Sequence, residues 1–93
     1  MTNEQIVNTF LNGGTFQRRY KALSTNGNAL FSYNLKIAEH NSDGYVVYDY
    51  TAGGGHCVSQ TTSTHVGLVK RMAPSRVTEV MRPDAARVAG LIR

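Results

Sequence analysis

The Asn26-Gly27 pair constrains the fold of this 93-residue chain more than any other feature. Asn-Gly is typical of a two-residue β-hairpin loop, because a type I′ turn needs a positive φ at both central residues. Residues 15–23 alternate imperfectly between apolar and polar side chains before the pair, and residues 29–39 alternate clearly after it. A period of two predicts strands. We therefore predict two antiparallel strands joined at Asn26-Gly27.

Further signals extend this hairpin into a meander. The string NSDG at 41–44 predicts a second turn, and the Tyr- and Val-rich residues 45–51 predict a third strand. A short run from Cys57 to Gln60 is a candidate fourth strand. Tight turns join antiparallel neighbours, so we expect the sheet to be antiparallel.

Helical patterns flank the predicted sheet. Residues 3–12 place apolar side chains on one side of a helix that Asn3 caps and two glycines end. Residues 61–72 predict a second helix, opened by a Thr/Ser cluster that caps its N-terminus. Lys70 and Arg71 then lie at the negative end of its dipole.

The predicted fold is one α+β domain over residues 1–93, a three- to four-stranded antiparallel meander packed by helices on one face. Residues 75–82 are either a short helix capped by Ser75 or another strand. Residues 73–93 as a whole leave two alternatives open: they pack on the domain, or they form a flexible or helical arm. No apolar run approaches the roughly 18 residues of a membrane span, and the N-terminus lacks the features of a secretory signal. With a single cysteine, the chain is expected to be soluble and intracellular.

The charge is unevenly distributed along the chain. Ten Lys and Arg against six Asp and Glu give a formal net charge of +4. Residues 15–38 carry cations and no acid, residues 39–69 carry acids and no cation, and residues 70–93 are again basic. Two basic blocks interleaved with tyrosines favour a nucleic-acid-binding face, because phosphates need cations and bases stack on rings. The predicted contact residues are Arg18, Arg19, Lys21, Lys36, Lys70, Arg71 and Arg76.

Patterns for catalysis and metal binding are weak. The imidazole and thiol groups have spacings unlike those of zinc sites, and they are His40, His56, Cys57 and His65. The Gly53–Gly55 run lacks the lysine of a phosphate-binding loop. We therefore predict no metal, no cofactor, no small-molecule substrate and no catalytic residues. The enzyme alternative is a Cys57 nucleophile with a nearby histidine as base.

Two strings carry a resemblance to small phage-encoded proteins. They are FSYN at 31–34 with Ile37-Ala38, and TTS-x-H at 61–65, which opens a helix with a basic end. By size, charge and composition the whole chain resembles the single-domain anti-CRISPR proteins of phages, in particular inhibitors of type I-F surveillance complexes. The resemblance implies stoichiometric, non-catalytic binding to a host guide-RNA–protein complex in the host cytoplasm.

Two functional hypotheses follow. The first is a monomeric inhibitor that contacts guide phosphates or an acidic subunit surface of the surveillance complex and blocks recognition of target DNA. The alternative is a small basic module that binds nucleic acid directly, with an affinity that falls steeply with salt.

Overall fold

The first helix, α1 (Asn3–Leu11), begins and ends where free backbone groups find partners. The Thr2 hydroxyl accepts from the Gln5 N–H, and the Gln5 side-chain oxygen accepts from the Thr2 N–H. This capping box makes Thr2 the N-cap, one residue before the predicted Asn3. Gly13 follows the helix with φ 78°, in the left-handed conformation that ends helices at glycine.

The computed structural model describes residues 2–18, 22–42, 44–50, 60–74 and 78–82. Within these residues six strands form one mixed sheet in chain order, so the fold is a single α+β domain. The strands are β1 (Thr15–Phe16), β2 (Leu23–Asn26), β3 (Ala29–Ser32), β4 (Leu35–Asn41), β5 (Gly44–Tyr48) and β6 (Thr78–Met81). The first five pair antiparallel with their neighbours, and β6 pairs parallel with β5.

The predicted meander therefore differs from the structure in number and direction of strands. The expected strand over 15–23 is shorter, because β1 ends at Phe16 and β2 begins at Leu23. The candidate strand at 57–60 lies outside the described residues except for Gln60, which is helical. The sixth strand lies in the segment 73–93 that the sequence left open, and residues 83–93 are not described.

The predicted hairpin at Asn26-Gly27 is present, but its loop is shifted by one residue. Thr25 pairs with Leu30, so the two loop residues are Gly27 and Asn28. Only Gly27 has a positive φ, of 95°, which matches a type II′ turn rather than the expected type I′. The Asn26 side-chain oxygen accepts from the Asn28 N–H and stabilises the turn.

The predicted single strand over 29–39 is in fact a second hairpin. Tyr33 and Asn34 form a tight turn between β3 and β4, and Tyr33 has φ 56°. The Tyr33 N–H donates to the Ala22 carbonyl at 2.6 Å. Beyond the turn, Ile37 is an extra residue in the β4 register, a β-bulge that restores the apolar alternation. The turn and the bulge together preserve the apolar alternation of an unbroken strand, which is why the prediction of one strand over 29–39 is wrong.

Both helices pack on the same face of the sheet. The second helix, α2 (Gln60–Met72), contacts β3, β4 and β5, while α1 contacts β1, β2 and β3 and also α2. The expected capping residues at 61–64 lie inside α2, and Thr62 is buried against the sheet. The largest fully buried side chains are Tyr48, Phe10, Ile6, Leu23, Leu30 and Ile37.

Candidate functional site

One end of the sheet collects most of the positive charge. The register places the ends of β1, β3, β5 and β6 beside the starts of β2 and β4. Arg18 lies two residues after β1, Lys36 is the second residue of β4, and Arg82 directly follows β6. The Asp49 N–H donates to the Met81 carbonyl, which fixes the position of Arg82 next to the end of β5.

Helix α2 adds two more cations at the same end. Near its N-terminus Thr62 and His65 contact Ser32 at the end of β3. In its last turn the Lys70 ammonium lies 3.7 Å from the Asp49 carboxylate, just after β5. The helix therefore crosses the strands from β3 toward β5, and its last turn brings Lys70 and Arg71 to this end of the sheet. We call the end of the sheet that carries Arg18, Lys36, Lys70, Arg71 and Arg82 the basic end.

The cations of the basic end differ in how they are held. Arg18 and Arg71 are exposed, and neither forms an ion pair within the described residues. Lys36 lies 3.2 Å from Glu39, and Lys70 has the Asp49 partner. Both ion pairs are part-buried, since each carboxylate side chain is only 16% exposed while the Lys36 and Lys70 side chains are 30% and 36% exposed. Among the described residues of the strands, their ends and α2, five cations stand against three carboxylates, because Glu79 flanks Val46 at the same level as Glu39, and the basic end remains positive.

Glu39 lies on the face of the sheet opposite the helices and contacts two side chains there. It accepts a hydrogen bond from the buried Tyr48 hydroxyl and pairs with Lys36. Burial, followed by the hydrogen bond to Glu39, raises the pKa of Tyr48 above its usual value. Tyr48 is thus a neutral donor that fixes Glu39, and Glu39 in turn positions Lys36 at the start of β4.

The predicted contact residues fall into two groups. Arg18, Lys36, Lys70 and Arg71 lie at the basic end, whereas Arg19, Lys21 and Arg76 lie outside the described residues. Arg82 was missed, because the sequence did not assign a strand direction to the residues before it. TEVM at 78–81 places two polar residues before two apolar ones, so it carries no period of two that would have placed Arg82 after a strand.

The tyrosines interleave with the cations less than expected. Tyr48 and Tyr50 are buried, and the Tyr45 hydroxyl donates to the Leu11 carbonyl at the end of α1. Tyr20 lies outside the described residues. Tyr33 differs from these, since it is 59% exposed at the turn between β3 and β4 and so belongs to the same end of the sheet as the cations.

A buried polar cluster anchors α2 beneath that turn. Ser32 Oγ lies 2.8 Å from His65 Nδ1 and 3.1 Å from Thr62 Oγ1. All three side chains are buried, and burial lowers the pKa of His65 below its usual value. A serine beside a neutral histidine is an arrangement used in nucleophilic catalysis, but here Ser32 is fully buried and no substrate could reach its hydroxyl. The cluster joins the helix to the sheet.

The neutral state of His65 predicts a pH-dependent stability. Because its pKa is lower in the folded protein than in the unfolded chain, the unfolded state binds more protons below about pH 6.5. The free energy of unfolding should therefore be maximal above this pH and fall as the pH decreases, by at most about 1.4 kcal/mol per unit. Urea unfolding at pH 5, 6 and 7 measures this fall.

The matched variant for this measurement is His65→Gln, which keeps a hydrogen-bonding side chain and removes the titration. The difference in unfolding free energy between the two proteins should shrink as the pH falls. Parallel pH profiles would instead assign the acid sensitivity to other groups.

His40 has a structural role at the end of α1. Its Nε2–H donates to the Phe10 carbonyl at 2.6 Å, and its ring packs against those of Phe10 and Tyr45, at centroid distances of 4.7 and 4.9 Å. Among the described residues no group of three His, Cys, Asp or Glu side chains could hold a metal ion. His56, Cys57 and the Gly53–Gly55 run lie outside the described residues.

Two further features bear on ligands and membranes. A shallow groove of about 540 Å³ lies along β1 and is lined by Thr15, Phe16, Gln17 and Asn26, which include no titratable group. No helix among the described residues is long and apolar enough to cross a membrane.

Sequence comparison places the chain in a family. Residues 3–80 match the model of a family of unknown function, DUF8033, and the chain belongs to that family. No curated protein and no solved structure matches it.

Proposed function

We propose that this family member is a non-catalytic binding protein that contacts the phosphate backbone of nucleic acid with its basic end. One observation carries the proposal: every Lys and Arg among the described residues lies at the same end of the sheet. These five cations come from four separate places in the chain, since only Lys70 and Arg71 are adjacent, so their convergence depends on the fold and not on a local charge run.

The dimensions of the basic end suit a polyanion. Five inter-strand spacings of about 4.8 Å separate β1 from β6, so the cations extend over roughly 24 Å. Arg18 stands at one side of this span, Lys36 near its middle, and Lys70, Arg71 and Arg82 at the other side. Lys36 lies on the face opposite the helices, whereas Lys70 and Arg71 lie on α2. A chain of phosphates that passes over this end of the sheet can contact both faces, whereas a small anion would engage only one position.

A narrower form of the proposal concerns the partner that presents the phosphates. A host guide-RNA–protein surveillance complex would offer guide phosphates to the basic end, and the bound protein would then block recognition of target DNA. What supports this form is the exposed, cationic character of Arg18 and Arg71 together with the resemblance to small phage inhibitors. Direct binding of free nucleic acid is the simpler form.

A salt titration tests the contact between the basic end and phosphates, which both forms of the proposal share. Fluorescence anisotropy with a labelled 15-nucleotide RNA, measured at several salt concentrations, gives the slope of log affinity against log salt. Single strands contribute about −0.7 per phosphate contacted, so four or five contacts predict a slope of about −3. Absent binding at low salt, or binding that does not change with salt, would overturn the proposal.

Affinity capture from a host lysate, with and without nuclease, separates the two forms. A defined multi-subunit complex with its guide RNA, retained after nuclease treatment, supports the inhibitor. Nucleic acid alone, released by nuclease, supports the simple binding module.

A further inference from the structure

Tyr33 occupies a position that disfavours its own side chain. It is an L-residue with φ 56° in a two-residue turn, where Gly or Asn is accommodated at lower energetic cost. The residue is nevertheless 59% exposed, so its side chain gains little from burial. A strained backbone that holds an exposed aromatic ring reduces stability without a packing gain, and such residues cluster at ligand-binding sites.

The surrounding structure holds this turn in place. The preceding residue, Ser32, is fully buried and bonded to Thr62 and His65 of α2. The Tyr33 N–H donates to the Ala22 carbonyl ahead of β2. The backbone on which the ring stands is thus anchored to a helix and to a neighbouring strand. An anchored ring loses little conformational entropy when a ligand stacks on it.

The turn also lies at the centre of the basic end. It joins β3 to β4, the two middle strands of six, so equal numbers of strands lie on either side. Arg18 stands toward β1, Lys36 is three residues further along the chain, and Arg82 stands toward β6. A ring between two sets of cations is the arrangement by which proteins bind single strands, with phosphates on the cations and bases on the aromatic face.

We propose that Tyr33 is a stacking platform for an unpaired base, and that the ligand of the basic end is therefore a single-stranded polynucleotide. The inference rests on the proposed function and adds the class of nucleic acid to it. A duplex presents phosphates to the cations, but its bases are already stacked within the helix and unavailable to the ring. Tyr33 should therefore distinguish single strands from duplexes, while the cations should not.

The test compares three proteins with single-stranded and duplex RNA of equal length. Tyr33→Asn removes the ring and places a residue that tolerates positive φ, so the variant should be at least as stable as the wild type. It should bind single-stranded RNA about tenfold more weakly and the duplex with unchanged affinity. A thermal melt of each protein confirms that any loss of binding occurs in a folded chain.

Tyr33→Trp provides a direct signal, because the chain contains no other tryptophan. Stacking of a base on the indole should quench its fluorescence when single-stranded RNA is added, and the duplex should leave the emission unchanged. Single-stranded DNA should quench as well, since every base has a π face; quenching by RNA alone would still support stacking and add a contact to the 2′-hydroxyl.

The outcomes separate the two claims. If the wild type binds neither single strands nor duplex, the proposed function fails. If it binds both with a steep salt dependence, but Tyr33→Asn leaves single-strand affinity unchanged and Tyr33→Trp is not quenched, the stacking role is wrong and the cationic surface stands.

Discussion

Replacing Arg18 and Arg71 with glutamine is expected to weaken binding to single-stranded RNA about 100-fold at low salt. Both side chains are exposed and without an ion pair in the described residues, so both are free to bind phosphate. A hydrogen bond to a charged group contributes about 1.5 kcal/mol or more, so each lost contact costs roughly tenfold in affinity. The log–log salt slope should become shallower by about 1.4.

The matched control makes the same change in net charge at the opposite end of the sheet. Asn28→Asp and Ser42→Glu also lower the formal charge from +4 to +2, at two exposed turn positions. These turns lie about 15–20 Å from the basic end along the strands, beyond the screening length of about 8 Å at physiological salt. We expect less than a threefold change in affinity. Equal losses for both double variants would show that only net charge matters and would refute a localised site.

Phe10→Ala is expected to lower the free energy of unfolding by about 3–5 kcal/mol, measured by urea unfolding. Phe10 is fully buried, and its ring packs against His40 at 4.7 Å and Tyr45 at 6.1 Å. Its carbonyl accepts from His40 and from the Gly13 N–H that ends α1. Removal of the ring leaves a cavity where α1 meets the sheet, so the loss is large against a total of about 5–15 kcal/mol.

Phe10→Leu is the companion variant, because it retains most of the apolar volume and the backbone contacts. This variant should lose clearly less unfolding free energy than Phe10→Ala, because the loss increases with the volume of the cavity. Similar losses for the two variants would point to the aromatic contacts with His40 and Tyr45, and not to cavity volume, as the main contribution. A loss below about 1 kcal/mol for Phe10→Ala would contradict the central position of this residue in the core.

Local signals predicted the elements that depend on local chemistry. Gly13 ends α1, and Gly27 turns the first hairpin, because both residues adopt a positive φ that other residues avoid. Lys70 and Arg71 lie in the last turn of α2, as the sequence predicts. The α+β class follows from such signals, since each depends on a few adjacent residues.

The features that the sequence did not predict depend on long-range contacts. Tyr33 takes a conformation that its own type disfavours, and the anchoring of Ser32 by Thr62 and His65 of α2 holds it there. The pairing of β6 with β5 joins residues more than 30 positions apart, which alternation cannot reveal. The basic end could not be predicted for the same reason, because the direction of β6 decides whether Arg82 lies beside Lys70.

The order of the strands has a consequence for the kinetics of folding. From β1 to β5 each strand pairs with its successor through a short connection, so this part closes only small loops and should form within milliseconds. The parallel pair of β5 and β6 joins residues more than 30 positions apart, so we expect it to form after the hairpins. The amides of β6 should then acquire hydrogen-exchange protection last during refolding. Arg82 reaches its final position only when β6 pairs with β5, so the basic end should be complete only after the hairpins have formed.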